Sequence, residues 1–298
     1  MLSTSALIAQ TSDLDLIIRH VLAGLGHGLH AGRERGAGVE FSEYRAYAPG
    51  DEWRRVDWKL MARTERYYVR EAERDSHVAV WLWLDATASM AEPSRRIEGL
   101  DKLWYARTML ACVAAIAQRQ GDAFGLVVCS GDTVRFTPAA RGPRQLHRVL
   151  AQLQKARPEG ALPQSDSLKA SLHFAASPSL IFAASDLLDW PSPQSDALLR
   201  LRRMRHDVRA LCLQTEAERD ASFPTGRAWR DPEQGGAVFR FDADTRDSYR
   251  TARAAHYGQV LAQCRQNDMP VLQACIEEPL PAVLRAWLHA RLPTAGRA

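Results

Sequence analysis

Seven apolar residues, Val78-Ala79-Val80-Trp81-Leu82-Trp83-Leu84, run without a break into Asp85. A continuous run of this kind predicts a strand buried on both faces, as in a parallel sheet covered by helices; a sheet with one wet face would alternate instead. Such sheets bind ligands at the carboxyl ends of their strands, where Asp85 stands. Thr87 and Ser89 follow at alternate positions, so one short loop carries a carboxylate and two hydroxyls. That hard-oxygen set suits Mg²⁺, with Ca²⁺ and Mn²⁺ as alternatives. Taken alone, Asp-x-Thr-x-Ser reads more readily as a helix cap, so the rest of the chain has to decide.

Downstream, helical and strand patterns alternate. Leu103, Ala106, Leu110, Val113, Ala114 and Ala117 recur at helical spacing over 100–119. Phe124–Cys129 and Thr133–Phe136, joined by Ser130-Gly131-Asp132, read as a hairpin. Helices are expected over 144–156, Ser165–Ala176, Ala197–Arg205, Thr245–Gln266 and Pro281–Leu292, and strands over 208–213, 237–241 and 270–274. Ser179-Leu180-Ile181-Phe182-Ala183-Ala184-Ser185-Asp186 is a second apolar strand ending in a hydroxyl and a carboxylate. If it lies parallel beside the first, Asp186 and Asp85 face one crevice, and Asp189 can substitute for Asp186. This alternation predicts an α/β fold with a doubly wound, mostly parallel sheet and one antiparallel edge hairpin.

Upstream, Leu14, Leu16, Ile17, Ile18, Val21, Leu22 and Leu25 predict one amphipathic helix over 12–25, ended by Gly24, Gly26 and Gly28. Residues 31–75 hold ten acidic and ten basic residues interleaved with Tyr44, Tyr47, Trp53, Trp58, Tyr67 and Tyr68. Each basic residue has an acidic neighbour in sequence, so Arg–carboxylate pairing is expected rather than a positive stripe. Pro49-Gly50-Asp51 is a turn signal. With so few apolar residues, the segment is expected to wrap against a larger domain. The expected organisation is 1–75 as helix and charged segment, 76–292 as the α/β domain with an insertion around 216–245, and 293–298 as a frayed tail.

Composition narrows the function classes. A formal charge of +4 over 298 residues does not demand nucleic acid. Six Lys/Arg and no acid occur from Arg135 to Arg157, which a solvated helix face explains. Cys112, Cys129, Cys212, Cys264 and Cys275 form no Cys-x-x-Cys pair and read as reduced core residues. No segment reaches the ~20 apolar residues of a membrane span, and Met1–Gln10 lacks the basic start of a signal peptide. A cytoplasmic location is expected.

The order of these elements resembles the von Willebrand factor A-like fold with its metal-ion-dependent adhesion site. Gly36-Ala37-Gly38-Val39-Glu40-Phe41, Arg45-Ala46-Tyr47-Ala48-Pro49-Gly50-Asp51, Arg54-Arg55-Val56-Asp57-Trp58 and Ala62-Arg63 narrow this further. They resemble the signature of the bacterial family called domain of unknown function 58. The resemblance implies Asp85, Thr87, Ser89 and Asp186 as metal ligands, with Mg²⁺ (or Ca²⁺ or Mn²⁺) as the ion. Where the family often has a ligating threonine, this chain has Leu162, which implies a weakened or metal-free site. Genes of the family usually lie beside one for a MoxR-type AAA+ ATPase. The resemblance therefore implies a non-enzymatic, chaperone-like adaptor or assembly factor acting with that ATPase on an unknown client protein. Arg45, Tyr47, Gly50, Asp51, Arg54, Arg55, Asp57, Trp58 and Arg63 form a second expected interaction surface or a brace.

Two other readings compete. A metal-dependent phosphohydrolase or nuclease would use Asp85 and Asp186, but two-metal chemistry asks for more clustered carboxylates. There is no Gly-x-x-x-x-Gly-Lys-[Ser/Thr] loop for a nucleotide phosphate. Nucleic-acid binding through Arg135–Arg157 and Arg200–Arg209 ranks last, and the expectation is no nucleic-acid partner and no direct membrane insertion.

Overall fold

The computed structural model describes residues 14–29, 41–47, 56, 58–64, 66–72, 79–131, 133–164, 168, 178–226, 228–230, 233 and 238–290. The chain divides into two compact units, one of 26–77 and one joining 1–25 to 78–298.

The larger unit is built on a six-stranded sheet. Its strands are β3 (Ala79–Asp85), β4 (Phe124–Ser130), β5 (Thr133–Ala140), β6 (Ser179–Ser185), β7 (Asp207–Gln214) and β10 (Val271–Cys275). The spatial order is β10-β7-β6-β3-β4-β5. Neighbours are parallel except β4 and β5, which form the antiparallel edge hairpin. This is the doubly wound, mostly parallel sheet that the apolar runs predict.

Helices cover both faces, which is why β3 needs no polar alternation. On one face Val80, Leu82 and Leu84 pack in a core with residues of α1 (Leu14–Leu29), α3 (Lys102–Gln120), α4 (Pro143–Lys155) and α8 (Leu280–Leu288). On the other, Trp81 and Trp83 pack with residues of α5 (Pro193–Arg203) and α7 (Ala243–Gln266). Gly125 on β4 leaves room for the Trp81 ring: an added Cβ would lie 2.3 Å from the indole. All five cysteines are buried free thiols.

The connections set the site. From β3 the chain passes through α3 to β4 on one side; from β6 it passes through α5 to β7 on the other. β3 and β6 are parallel neighbours, with Leu84 opposite Ala184. Their loops diverge at the carboxyl edge and open a crevice there, the usual ligand position of such sheets.

Several boundaries differ from the sequence reading. Helix α1 continues through Gly24, Gly26 and Gly28 to Leu29: glycine weakens a helix but, unlike proline, keeps the backbone donor. The polar stretch after 216 carries helix α6 (Glu216–Asp220) and hairpin strands β8 (Ala228–Arg230) and β9 (Val238–Arg240). Phe223, Trp229 and Phe241 form an aromatic cluster with Tyr249. Helix α5 begins at Pro193, earlier than the expected Ala197, because Ser192 and Ser195 make a capping box. The expected helix over 165–176 and the tail 293–298 lie outside the described residues, apart from Leu168.

In the smaller unit, β1 (Phe41–Ala46) pairs antiparallel with β2 (Tyr68–Ala72), and α2 (Trp58–Thr64) lies between them in sequence. The Tyr47 amide donates to the Tyr67 carbonyl at 2.9 Å. In the sequence, Val56-Asp57-Trp58-Lys59 reads as a turn of helix and Arg66-Tyr67-Tyr68-Val69-Arg70 as a strand, where α2 begins and β2 lies; β1 is not foreseen.

Candidate functional site: the crevice at Asp85

Asp85 ends β3 at 2% exposure. Its Oδ1 accepts from the Thr87 amide at 3.0 Å and from Thr87 Oγ1 at 2.8 Å. Its Oδ2 accepts from Ser185 Oγ at 2.6 Å and from Gln194 Nε2 at 3.3 Å. Gln194 is itself oriented by the Trp83 indole N–H, which donates to its Oε1 at 3.4 Å. Four donors of this chain thus fill the four acceptor positions of one carboxylate. Burial, and then the charge of Asp186, push the Asp85 carboxyl up to about 6 despite those donors. Thr87 stands at the N-cap of a 3-10 turn (Ala88–Ala91) but makes no side-chain cap bond there; α3 is capped by Asp101, which accepts from the Trp104 amide at 2.6 Å.

The loop after β3 is pinned from the sheet. The Ala86 amide donates to the Cys129 carbonyl and the Ala88 amide to the Gly160 carbonyl, both at 2.8 Å. Gly160 has φ +59° and lies against Gly131, where a Cβ would fall 2.8 Å from the Gly131 Cα. This holds Thr87 Oγ1 and Ser89 Oγ 3.2 Å apart. The Ser89 amide donates to Glu233 Oε1 at 3.2 Å. Burial, and then the Asp189 carboxylate beside it, push the Glu233 carboxyl up to about 7.

Asp186 follows Ser185 and is turned to a different partner. Its Oδ2 lies 2.7 Å from the Lys102 ammonium and its Oδ1 accepts from the Leu188 amide at 3.2 Å. Lys102, 1% exposed in the first turn of α3, also reaches Glu218 Oε1 at 3.0 Å. Burial works to lower the Lys102 ammonium, but Asp186 and Glu218 outweigh it and hold its titration above the usual lysine range. Glu218 is anchored in turn by the Thr215 amide at 2.7 Å.

The crevice is lined by Asp85, Thr87, Leu162, Ser185, Asp189 and Gln194, among others, and leaves about 10 Å³ of free space, the room of one water molecule. The structure thus brings Asp85, Thr87, Ser89 and Asp186 to one edge. It adds Gln194, Lys102 and Glu233, which the sequence reading does not name, and it gives Ser185, read there only as the hydroxyl that ends its strand, a bond to Asp85. Lys102 left a trace: a cation in the first turn of a helix opposes the macrodipole, so an unusual partner was to be expected. Gln194 left none.

The donor set does not fit a resident divalent cation. Leu162 lines the crevice and supplies hydrocarbon, not an oxygen. Asp85 is saturated by its own chain, and Asp186 is neutralised by an ammonium. The Thr87 and Ser89 hydroxyls remain, and of the two rim carboxylates Glu233 already accepts from the Ser89 amide and lies against Asp189, short of the open carboxylate-rich shell that hard cations take. The same pairing removes Asp186 from the carboxylate pair that a phosphohydrolase would use. Of the second expected surface, Trp58 and Arg63 are exposed on α2, and Arg45 lies in β1 and Tyr47 just after it. Gly50, Asp51, Arg54, Arg55 and Asp57 lie outside the described residues.

These features define an α/β domain with an Asp-x-Thr-x-Ser loop at the switch point of its sheet. The chain belongs to the family described as "Protein of unknown function DUF58", whose model matches residues 43–259. Relatives include "Uncharacterized protein Rv1480" of Mycobacterium tuberculosis and "Uncharacterized protein Mb1516" of Mycobacterium bovis. Each is 28% identical over 276 residues, covering 89% of this chain and 84% of the relative. Among solved structures the chain is similar to the conserved hypothetical protein BatB from Bacteroides thetaiotaomicron, with a TM-score of 0.43 and 12% identity over 71% of this chain and 96% of that one. It is also similar to the SpRpn10 VWA domain, with a TM-score of 0.42 and 6% identity over 70% of this chain and 93% of that one.

Proposed function

We propose that the chain is a non-enzymatic adaptor or assembly factor that docks a protein partner at the crevice edge, with a MoxR-type AAA+ ATPase as the partner that the family resemblance implies. The observation that carries this reading is the crevice itself. It stands at the switch point of the sheet, where ligands bind, but its interior holds about one water, against the roughly 300–1,000 Å³ of a small-molecule pocket. A site of that size takes the tip of one side chain presented by a larger surface. Its rim supplies both chemistries such a surface uses: the half-buried Ser89 and Glu233, and Leu188, 44% exposed on the Asp186–Asp189 turn.

No helix among the described residues is long and apolar enough to cross a membrane; a cytoplasmic site of action is part of the proposal. Calorimetric titration of the purified ATPase into the full chain tests it. Ser89→Tyr, which adds bulk beside Thr87 at the proposed docking edge, is expected to weaken binding at least tenfold, about 1.4 kcal/mol. Unchanged affinity in a folded Ser89→Tyr variant refutes docking at this edge.

A further inference from the structure

We infer that the cation serving the Asp186 side of this crevice is the Lys102 ammonium behind it, and that the crevice keeps its shape without a divalent metal ion. The inference goes beyond the docking proposal and is read on the chain alone. It rests on where the charges sit. Asp85 and Asp186 are the two carboxylates at the ends of neighbouring parallel strands, the arrangement that in a metal site is balanced by a dication. Here one of the two, Asp186, already has a cation of the chain, and the other, Asp85, is held by neutral donors. Lys102 Nζ is 2.7 Å from Asp186 and 3.0 Å from Glu218, with side-chain exposures of 1%, 4% and 15% for the three residues.

Three further observations agree. First, the Asp85 oxygens are already satisfied by Thr87, Ser185 and Gln194, so a metal-bound water would have to displace one of these donors. Second, Leu162 lines the crevice beside Thr87, which removes an oxygen from the shell of an ion that gives up its own water reluctantly. Third, Lys102 sits in the first turn of a 19-residue helix. A cation there is disfavoured by the macrodipole and by burial, and the two carboxylates offset both. A dication entering beside Thr87 would meet this fixed positive charge and find Asp186 already engaged.

The test is a Mn²⁺ titration of the full chain, followed by the electron paramagnetic resonance signal of free Mn²⁺, with thermal unfolding in Mg²⁺ and in EDTA. No saturable binding is expected up to about 1 mM, and the unfolding midpoint should agree within about 1 °C between EDTA and about 10 mM Mg²⁺, since a ligand of the folded state must raise it by mass action. One-to-one Mn²⁺ binding that Asp85→Ala abolishes overturns the inference. A Lys102→Met/Leu162→Thr double variant should gain Mn²⁺ affinity at least tenfold; a folded double variant that binds no better than wild type also overturns it. If that variant does not fold, Leu162→Thr alone decides: with Lys102 in place it must stay free of Mn²⁺, and binding by it contradicts the role given to the ammonium. None of these readouts involves the ATPase, so the docking proposal and this inference fail separately.

Discussion

Replacing Lys102 by methionine keeps the length of the side chain and removes its charge. Two carboxylates, Asp186 and Glu218, then face each other's surroundings with no cation, at 4% and 15% exposure. Removing one partner of a buried pair costs about 3–5 kcal/mol, because the penalty is that of an uncompensated charge. In a domain of this size each kcal/mol moves the midpoint by about 2–4 °C, so a fall of roughly 6–20 °C is expected. Urea unfolding followed by circular dichroism measures it directly, with an unchanged slope confirming that the folded state is the same. The Lys102→Met/Asp186→Asn double variant should recover part of the loss, with a coupling of about 0.5–3 kcal/mol. A Lys102→Met variant within about 1 kcal/mol of wild type, or a double variant whose losses simply add, would refute the reasoning, since in neither case is Lys102 the counter-charge of Asp186.

Other expectations follow from the same geometry. The Asp85 carboxyl titrates at about 6 when folded, against an ordinary 3.8, so the folded state binds the extra proton in between. Its contribution to stability is present below pH ~4 and falls as pH rises through ~6; the Asp85→Asn variant should lack this decline in chemical unfolding from pH 4 to 7. Gly125→Ala places a methyl 2.3 Å from the Trp81 ring and 2.8 Å from the Thr137 carbonyl, and should cost about 1–3 kcal/mol in the same assay, with partial rescue by Trp81→Leu. Asp101→Ala removes the acceptor that caps α3 and should cost about 1 kcal/mol.

The sheet was legible because its constraint is written in one place. A strand covered on both faces can carry no polar alternation, and Val78–Leu84 and Ser179–Ala184 obey that rule in full. The crevice was legible for the same reason, since both runs end in carboxylates. What escaped was the pairing across the sheet. Lys102 and Asp186 are 84 residues apart, Asp85 and Gln194 109, and no local pattern links a helix start to a distant strand end. Of the hairpin after Asp220, β9 falls in the strand expected over 237–241, but β8 was missed because Trp229 is a single large apolar residue in polar surroundings, too short a pattern for a period to emerge.

The most direct test of the docking account is hydrogen exchange of the full chain with and without the proposed AAA+ ATPase. The account predicts slowed exchange on binding at the two turns that rim the crevice, 86–91 and 186–190, with no change at Met204, exposed at the opposite end of the sheet. Protection confined to other surfaces, or none at saturating ATPase, would contradict the account.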